Sequence, residues 1–382
     1  MTTSPLSLRK GTSRSKDAVT AAKELYEQIN QSDIKLAVFY CSPAFDLPVL
    51  ERELARWFKD INLIGCTTAG EITPIGYLDG TLTGVSIASP EMDVCTQMIN
   101  LQPFEIADGE AVVTKMIKDL GTRDGLPASP VDTFAFLLID GLSMQEEMVV
   151  SCVHEHLHGI ELIGGSAADD VRFSSTHLYY QGKFHQHVAL LTLARSQFRF
   201  MAFRTQHFVN SDKRMVVTRA DPTQRIVYEI NGMPAGREFA RLVGLQMDEL
   251  TPLIFATYPV VVRVGGEYFV RSIAKVNPDE SLVFFCAIDE GIVLTIAKGI
   301  DLVENLATAF SQVRDEIGDP QLVLGCDCIL RRLETERTGV KEAVGKIFAD
   351  NNVIGFATYG EQFNSMHVNQ TFTGIAIGSR TH

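Results

Sequence analysis

One nine-residue pattern occurs three times along the chain and constrains its fold more than any other feature of the sequence. The copies are Leu63-Ile-Gly-Cys-Thr-Thr-Ala-Gly-Glu71, Leu162-Ile-Gly-Gly-Ser-Ala-Ala-Asp-Asp170 and Val353-Ile-Gly-Phe-Ala-Thr-Tyr-Gly-Glu361. Each copy follows a segment of helical periodicity and reads as an apolar strand that ends in small residues and a carboxylate. Three copies with the same acidic end favour duplication of one helix–strand–glycine unit over a coincidence of common elements.

The ends of these three strands carry the side chains from which we expect a ligand site. Small residues let a ligand or a neighbouring backbone approach closely, and hydroxyl groups such as that of Thr67 lie near the carboxylates Glu71 and Glu361. The chain has no G-x-G-x-x-G or P-loop sequence, so these strand ends are not familiar phosphate cradles. Asp169 stands where the other two copies have glycine, which leaves open whether the second strand end closes in the same way.

Apolar periodicity predicts a mixed α and β (α+β) fold in which β-sheets are flanked by helices. Strand-like runs cover residues 35–41, 62–67, 81–88, 133–139, 162–166 and 176–204. Helical patterns cover residues 15–30, 47–60, 105–120, 143–157, 236–244, 301–317 and 338–351. Consecutive strand-like runs from 171 to 230 indicate antiparallel hairpins, which argues against a purely parallel doubly wound sheet.

Composition excludes several classes of function. The 382 residues carry a formal net charge of −13, and this field repels nucleic acid and anionic headgroups. Apolar runs are far shorter than the roughly 18 residues of a membrane helix, and residues 1–16 read as a loose basic tail without a secretory signal. Seven cysteines, an odd number, fit reduced thiols. We expect a soluble cytoplasmic protein with no nucleic-acid or membrane partner.

Two short motifs resemble catalytic or metal sites but are better explained structurally. His154-Glu-His-Leu-His158 matches H-E-x-x-H, yet the predicted helix ends at Gly159 and offers no continuing helix to hold a zinc site. We interpret it as a polar helix C-terminus that the helix dipole favours. Cys326-x-Cys328 is too tightly spaced for a usual zinc knuckle, and no second pair completes four ligands. Cys66 and Cys326 lie in apolar strands, which is typical of inert thiols.

Three histidines are candidate ligands of a haem iron. His185 opens an apolar strand, His207 lies in Thr205-Gln-His-Phe208, and His367 lies in Met366-His-Val-Asn-Gln-Thr371. A neutral imidazole beside apolar residues suits an axial haem ligand, because the porphyrin must be buried against apolar surface. A hydrogen-bonded histidine at a strand end is the simpler interpretation for any one of them.

Taken in order, these motifs resemble those of the FIST sensory family. The matching residues are Ile64-Gly-Cys-Thr-Thr-Ala-Gly-Glu71, Ile163-Gly-Gly-Ser-Ala-Ala-Asp-Asp170, Cys328 with Arg331, Gly355-Phe-Ala-Thr-Tyr-Gly-Glu361 and Asn369-x-Thr371. The resemblance covers residues 34–378. It implies two tandem domains, a FIST N-type domain at 34–225 and a FIST C-type domain at 226–378, after a tail and first helix at 1–33.

The resemblance also implies a function in bacterial signal transduction. Gly325-Cys-Asp-Cys-Ile-Leu-Arg-Arg332 and the segments around His207 and His367 look most like the nitric-oxide-sensing haem subgroup. Such proteins regulate a partner histidine kinase or a cyclic-di-GMP enzyme, that is, a diguanylate cyclase or phosphodiesterase, and thereby biofilm behaviour. We therefore expect a haem cofactor on one histidine, no catalytic residues, and leave homo-oligomerisation open.

Two alternatives remain beside the haem sensor. A haem-free sensor of small molecules such as amino acids would bind its ligand at the polar strand ends. Its ligand contacts would come from Thr67, Glu71, Arg331, Tyr359, Glu361, Asn369 and Thr371. An enzyme would instead use Cys326 or Glu361 as its reactive group.

Overall fold

The chain folds into three copies of one structural unit around a shared core, with an additional lobe inserted into the third copy. The computed structural model describes residues 6–120 and 128–380, without the side chains of residues 252 and 253. Each unit contains a strand, a helix, a strand, one or two helices, a strand, a short hairpin and a long return strand. The mixed α and β architecture is confirmed, and so is the repeated helix–strand–glycine unit.

The first two units follow each other directly. The first comprises β1 (Ser7–Ser13), α1 (Ala18–Ile29), β2 (Ile34–Cys41), α2 (Leu47–Trp57), β3 (Leu63–Thr67), the hairpin β4 (Glu71–Thr73) and β5 (Gly76–Leu78), and β6 (Leu82–Ala88). The second comprises β7 (Met92–Asn100), α3 (Ile106–Asp119), β8 (Thr133–Ile139), α4 (Glu146–His156), β9 (Glu161–Ser166), the hairpin β10 (Leu178–Tyr180) and β11 (Lys183–His185), and β12 (Val188–Ser196).

The third unit is interrupted by the inserted lobe. It opens with β13 (Phe198–Thr205). The lobe contains β14 (Phe208–Asp221), β15 (Ile226–Ile230), β16 (Met233–Pro234), α5 (Ala235–Val243), α6 (Pro252–Thr257), β17 (Val260–Val264), β18 (Glu267–Arg271), β19 (Ile273–Val276), β20 (Leu282–Phe284) and β21 (Val293–Gly299). The unit resumes with α7 (Leu302–Ile317), β22 (Leu322–Cys328), α8 (Ile329–Thr338), α9 (Lys341–Asp350), β23 (Val353–Thr358), the hairpin β24 (Glu361–Phe363) and β25 (Met366–Val368), and β26 (Phe372–Arg380).

Each unit gives its hairpin to the sheet of a neighbouring unit. The strand orders are β1-β6-β2-β3-β10-β11, β7-β12-β8-β9-β24-β25 and β13-β26-β22-β23-β4-β5. The hairpin of the second unit thus completes the first sheet, that of the third unit completes the second, and that of the first completes the third. Each sheet therefore contains strands of two units, and all three units must be present before all three sheets are complete.

The three sheets enclose one hydrophobic core, and the helices cover their outer faces. Inward-facing residues of all three sheets form a single buried cluster, in which Tyr40 stacks on Phe356 with ring centroids 4.7 Å apart. The outer faces pack against α1 and α2, α3 and α4, and α7 to α9. Strands that are buried on both faces read as continuous apolar runs without alternation, which is the pattern of β2, β8 and β22.

The expectation of a loose N-terminal tail differs from the structure. Residues 7–13 are not a loose tail, because β1 pairs antiparallel with β6 along its whole length; residues 1–5 of that segment lie outside the described residues. The expected division between residues 225 and 226 falls inside a hairpin of the inserted lobe, where β14 pairs with β15. The lobe is therefore a structural unit that spans this division.

The glycine of the repeated pattern allows adjacent strands to approach closely. In the parallel pairs β2–β3, β8–β9 and β22–β23, Gly65, Gly164 and Gly355 each lie opposite a residue of the neighbouring strand. An added Cβ would lie 2.5 Å from the Phe39 carbonyl oxygen, 2.2 Å from that of Leu137 and 2.0 Å from that of Gly325. These contacts are with backbone, which cannot rotate away, so each unit requires glycine at this position.

We expect Gly355→Ala to lower the free energy of unfolding by about 3 kcal/mol, since the methyl group forces two paired backbones apart. Gly299→Ala is the matched control, because its added Cβ would meet only a Phe208 ring carbon, at 3.9 Å. Urea unfolding of both variants measures the difference. Equal stability of the two variants would contradict this explanation of the pattern.

Candidate functional site

The ends of the three repeated strands meet in a ring of backbone hydrogen bonds. The amide of Ala168 donates to the carbonyl of Thr67 (2.9 Å), that of Ala69 to Ala357 (3.0 Å), and that of Tyr359 to Ser166 (3.3 Å). These residues occupy equivalent positions of the three copies, so the ring follows the internal threefold repeat. The sequence-predicted strand ends are therefore brought together, but by backbone and not around a polar pocket.

The carboxylates Glu71 and Glu361 close the hairpins of the first and third units. Glu71 accepts hydrogen bonds from the Thr68 hydroxyl (2.5 Å), the Thr81 amide (2.9 Å) and the Thr81 hydroxyl (2.7 Å). Glu361 accepts from the hydroxyl of its equivalent threonine, Thr358, and from the amide (3.2 Å) and hydroxyl (2.7 Å) of Thr371. Both carboxylates are fully buried, and burial raises their pKa values to about 7 and about 8.

The second unit closes its hairpin with a different carboxylate. Asp140, directly after β8, accepts hydrogen bonds from the Thr176 hydroxyl and from the amide of His187 (2.6 Å). His187 directly precedes the return strand of its unit, as Thr81 and Thr371 do in theirs. Asp170, which the pattern aligns with Glu71, is only partly buried and has a positive φ of 61°. Asp170 therefore does not close its hairpin in the way that Glu71 and Glu361 close theirs.

Arg331 and His207 belong to a buried chain of polar contacts at the base of the inserted lobe. Arg331 donates to Asp327 (2.7 Å) and to Nδ1 of His207 (2.8 Å), and Nε2 of His207 contacts Glu334 at 2.8 Å. Because arginine can only donate, Nδ1 accepts and Nε2 carries the proton. Burial lowers the pKa of His207. Neither ring nitrogen of this leading iron candidate is available to a metal.

The other two histidines also lie close to polar groups of the protein. Nε2 of His185 lies 3.3 Å from the Tyr180 carbonyl oxygen. His367 is buried, its Nδ1 lies 3.3 Å from the Gln362 amide, and burial lowers its pKa to about 4. Five cavities among the described residues, from about 200 to about 610 Å³, have no histidine in their lining. None of these five cavities therefore offers a histidine to a haem iron.

The remaining predicted ligand contacts are divided between the buried core and one cavity. The Thr67 hydroxyl is buried and accepts from the His177 amide at 3.1 Å. Asn369 is also buried, beside Gly360, and its side-chain amide has no hydrogen-bond partner among the described residues. Tyr359 is the one predicted residue that lines any of these five cavities. The structure does not gather the predicted residues into one site.

We name that cavity, which lies between the threefold core and the inserted lobe, the junction cavity. Its volume is about 200 Å³. The core contributes Gly141, Leu142, Met144, Glu146, Phe173 and Tyr359, and the lobe contributes Gln224, Arg225, Ala274, Val283, Phe284 and Phe285. Three larger cavities, of about 610, 450 and 530 Å³, contain no buried charged side chain. The junction cavity contains two, Glu146 and Arg225.

An ion cluster joins the lobe to the core at this cavity. Arg225 donates to Glu146 (2.7 Å) and Glu147 (2.8 Å) of α4, and also to the Phe285 carbonyl oxygen (2.8 Å). The second oxygen of Glu147 accepts from the amide of Ala287 at 2.8 Å. Removing Arg225 would leave Glu146 and Glu147 without their cation, which is strongly destabilising, so this cluster fixes the lobe against α4.

Asp169 organises the loop that forms the cavity wall. It accepts hydrogen bonds from the amides of Phe173 (2.9 Å), Ser174 (2.9 Å) and Ser175 (2.8 Å), and from the Tyr359 hydroxyl. Burial acts to raise the pKa of Asp169, but these hydrogen bonds lower it below its usual value. Phe173 is held at a φ of 51°, a conformation that aromatic residues rarely adopt and that is concentrated at functional sites.

Sequence reasoning missed Arg225, Glu146 and Phe173. The partners Arg225 and Glu146 are 79 positions apart, so no local pattern connects them. The one local signal was Asp169, which replaces the glycine of the other copies and frees a carboxylate to hold this loop.

The catalytic and metal motifs do not assemble into a site in the described residues. Helix α4 ends at His156, within the H-E-x-x-H segment, and no group of three or more histidine, cysteine, aspartate or glutamate side chains there could hold a metal ion. Burial raises the pKa of Cys326 well above its ordinary value, which disfavours the nucleophilic thiolate. Over the same residues, no helix is both long and apolar enough to cross a membrane.

We expect the free energy of unfolding to fall by the order of 6 kcal/mol between about pH 5 and pH 9 through Glu361 and Glu71. Their pKa values are raised on folding, so their contribution is complete below the unfolded value of 4.5 and is lost as the pH rises through about 7 and about 8. Glu361→Gln should remove the larger part of this loss, whereas Glu27→Gln, on the exposed face of α1, should not. Denaturant unfolding at each pH tests this, and an unchanged pH slope in Glu361→Gln would contradict it.

Comparison with known proteins assigns both parts of the chain to one family. The FIST N domain matches residues 35–233 and the FIST C domain matches residues 235–364. An uncharacterized protein of Methanocaldococcus jannaschii is 22% identical over 410 aligned residues, which cover 94% of this chain and 76% of that protein. The FIST N match alone spans more than half of the chain. The chain therefore belongs to the FIST family, whose domains are sensors in signal transduction.

Proposed function

We propose that this protein is a haem-free sensor of a small organic molecule that binds in the junction cavity. Binding there would alter how the inserted lobe is presented to a partner signalling enzyme. A histidine kinase or a cyclic-di-GMP enzyme is the partner that the family resemblance implies. One observation carries the proposal: the buried ion cluster and the aromatic wall meet at the boundary between two structural units.

The size of the junction cavity favours a small ligand. Its volume of about 200 Å³ lies below the roughly 300–1,000 Å³ of pockets for drug-sized ligands, and a porphyrin would not fit. Charged side chains buried in an apolar wall are the groups that orient a ligand and give specificity. Boundaries between structural units are also common places for ligand sites.

The contacts across the boundary offer a route from ligand to lobe. The lobe is held by the ion cluster, by a hydrogen bond from Arg271 to the His367 carbonyl oxygen (2.8 Å), and by the ring contact between Phe173 and Phe285, with centroids 6.1 Å apart. A ligand that contacts both sides favours the lobe position in which both sides reach it. Only such differential binding can shift the balance between two states.

Haem-based sensing of nitric oxide through His207, His185 or His367 remains a prediction, with less support than the haem-free alternative. Haem binding would require His207 or His185 to give up its hydrogen-bond partner, or His367 to move away from the Gly360 backbone. It would also require a much larger cavity beside that histidine. The two hypotheses differ in a property that is simple to measure, the absorption of the purified protein.

We expect protein from haem-supplemented cells to show no Soret band, and a panel of small amino acids and amines to contain a compound that raises its Tm. At a ligand concentration of about 100 Kd the added stability is about 2.7 kcal/mol, which corresponds to several degrees. Ala274→Leu, which extends a side chain into the cavity, should abolish the shift, whereas Ala44→Leu, in a separate surface cavity, should not.

A Soret band that moves on exposure to nitric oxide and disappears on changing one of the three histidines to alanine would overturn the proposal. A thermal shift that survives in Ala274→Leu would place the ligand elsewhere and would also contradict it.

A further inference from the structure

The junction cavity has an unusually aromatic wall. Four of its lining residues, Phe173, Phe284, Phe285 and Tyr359, are aromatic. Phe173 stacks on Tyr359 with ring centroids 4.5 Å apart and planes inclined by 18°. Phe173 is still 47% exposed, so part of its ring remains accessible. Ring faces carry negative electrostatic potential, and several of them together attract a cation more strongly than a neutral group.

The charged groups of the cavity also favour a cation. Arg225 is the cationic side chain of the lining, and its guanidinium already donates hydrogen bonds to Glu146, Glu147 and the Phe285 carbonyl oxygen. Two carboxylates paired with one guanidinium leave an excess of negative charge. Burial raises the pKa of Glu146 in spite of Arg225, so a proton partly neutralises this excess, and a bound cation could take over that role.

Asp169 adds a further negative charge beside the Tyr359 hydroxyl. It accepts the Tyr359 hydroxyl hydrogen, and its own pKa is lowered, so it is ionised near neutral pH. Donation to a carboxylate makes the phenol ring more electron-rich, which strengthens its attraction for a cation. Asp169 also holds Phe173 in its left-handed conformation through the amide hydrogen bond of 2.9 Å. One carboxylate thus both positions and polarises the aromatic wall.

We propose that the ligand of the junction cavity is a small organic ammonium cation without a carboxylate group, held by the ring faces and by the excess negative charge of the ion cluster. This inference rests on the proposed function and names the chemical class of its ligand. A free carboxylate on the ligand would face Glu146 with no unengaged cationic side chain among the lining residues to receive it. Zwitterionic amino acids should accordingly bind more weakly than amines of the same size.

Isothermal titration calorimetry of the full chain with three probes of similar shape tests the inference. Choline carries a trimethylammonium group, 3,3-dimethylbutan-1-ol is its neutral isostere, and glycine betaine adds a carboxylate. We expect choline to bind at least about tenfold more tightly than either of the other two, from cation–π attraction in a partly desolvated site. The order of the three affinities should persist at raised salt concentration, because charges in a partly buried site are screened less.

Three variants separate the contributions of the aromatic wall and of the ion cluster to choline binding. Phe173→Leu should weaken choline binding about tenfold while leaving the neutral isostere nearly unchanged, and Tyr268→Leu, outside the cavity, should change neither. Glu147→Gln keeps the acceptor for the Ala287 amide but removes one negative charge. It should weaken choline binding and strengthen glycine betaine binding. A circular dichroism spectrum and Tm close to those of the wild type confirm that each variant is folded.

The outcomes distinguish this inference from the proposed function. Tighter binding of glycine betaine or of an amino acid than of choline, lost in Ala274→Leu, would overturn the cation inference and keep the small-molecule sensor. Equal binding of choline and its neutral isostere would also overturn it. Absence of binding by all amines and amino acids tested would overturn both.

Discussion

Three backbone hydrogen bonds at the centre of the molecule determine where the other elements can lie. They join the strand ends of the three units in a closed ring, in which each amide donates to the carbonyl of the next unit. Five of the six residues that form the ring are alanine, serine or threonine, and the sixth is Tyr359. Small side chains let strand ends approach closely. At the ring, each chain leaves its own sheet beside the strand end of a neighbouring unit. The hairpin that follows can therefore join the sheet of that neighbouring unit, which gives the cyclic exchange of hairpins.

The proposed ligand site lies where the three units cease to be equivalent. The first and third units close their hairpins with glutamates, whereas the second uses Asp140 and carries, in place of glycine, Asp169, which organises a loop. The third unit carries the inserted lobe, whose Arg225 pairs with the helix α4 of the second unit. The junction cavity lies where these two departures from symmetry meet. Buried charge and a rare backbone conformation are typical of sites that bind ligands.

Much of the fold could be predicted from the sequence, but not how its parts are connected. The helices, strands and triple repeat are local patterns, and periodicity detects them. The exchange of hairpins depends on pairs such as Ile72 with Gly355, which no local signal connects. Among the site residues, Tyr359 was predicted and lines the cavity. Glu71 and Glu361 were predicted as ligand contacts but are hydrogen-bonded to threonines, because a polar residue after a buried strand can serve either purpose.

Hydrogen–deuterium exchange with and without saturating choline tests the central claim most directly, that a small ligand binds between the core and the lobe. The account predicts slower exchange of the amides in residues 170–175 and 283–287, on the two sides of the junction cavity, with little change in the ring of strand ends at 67–69. Unchanged exchange at the junction under conditions where choline is bound, or protection confined to segments around His185 and His207, would contradict it.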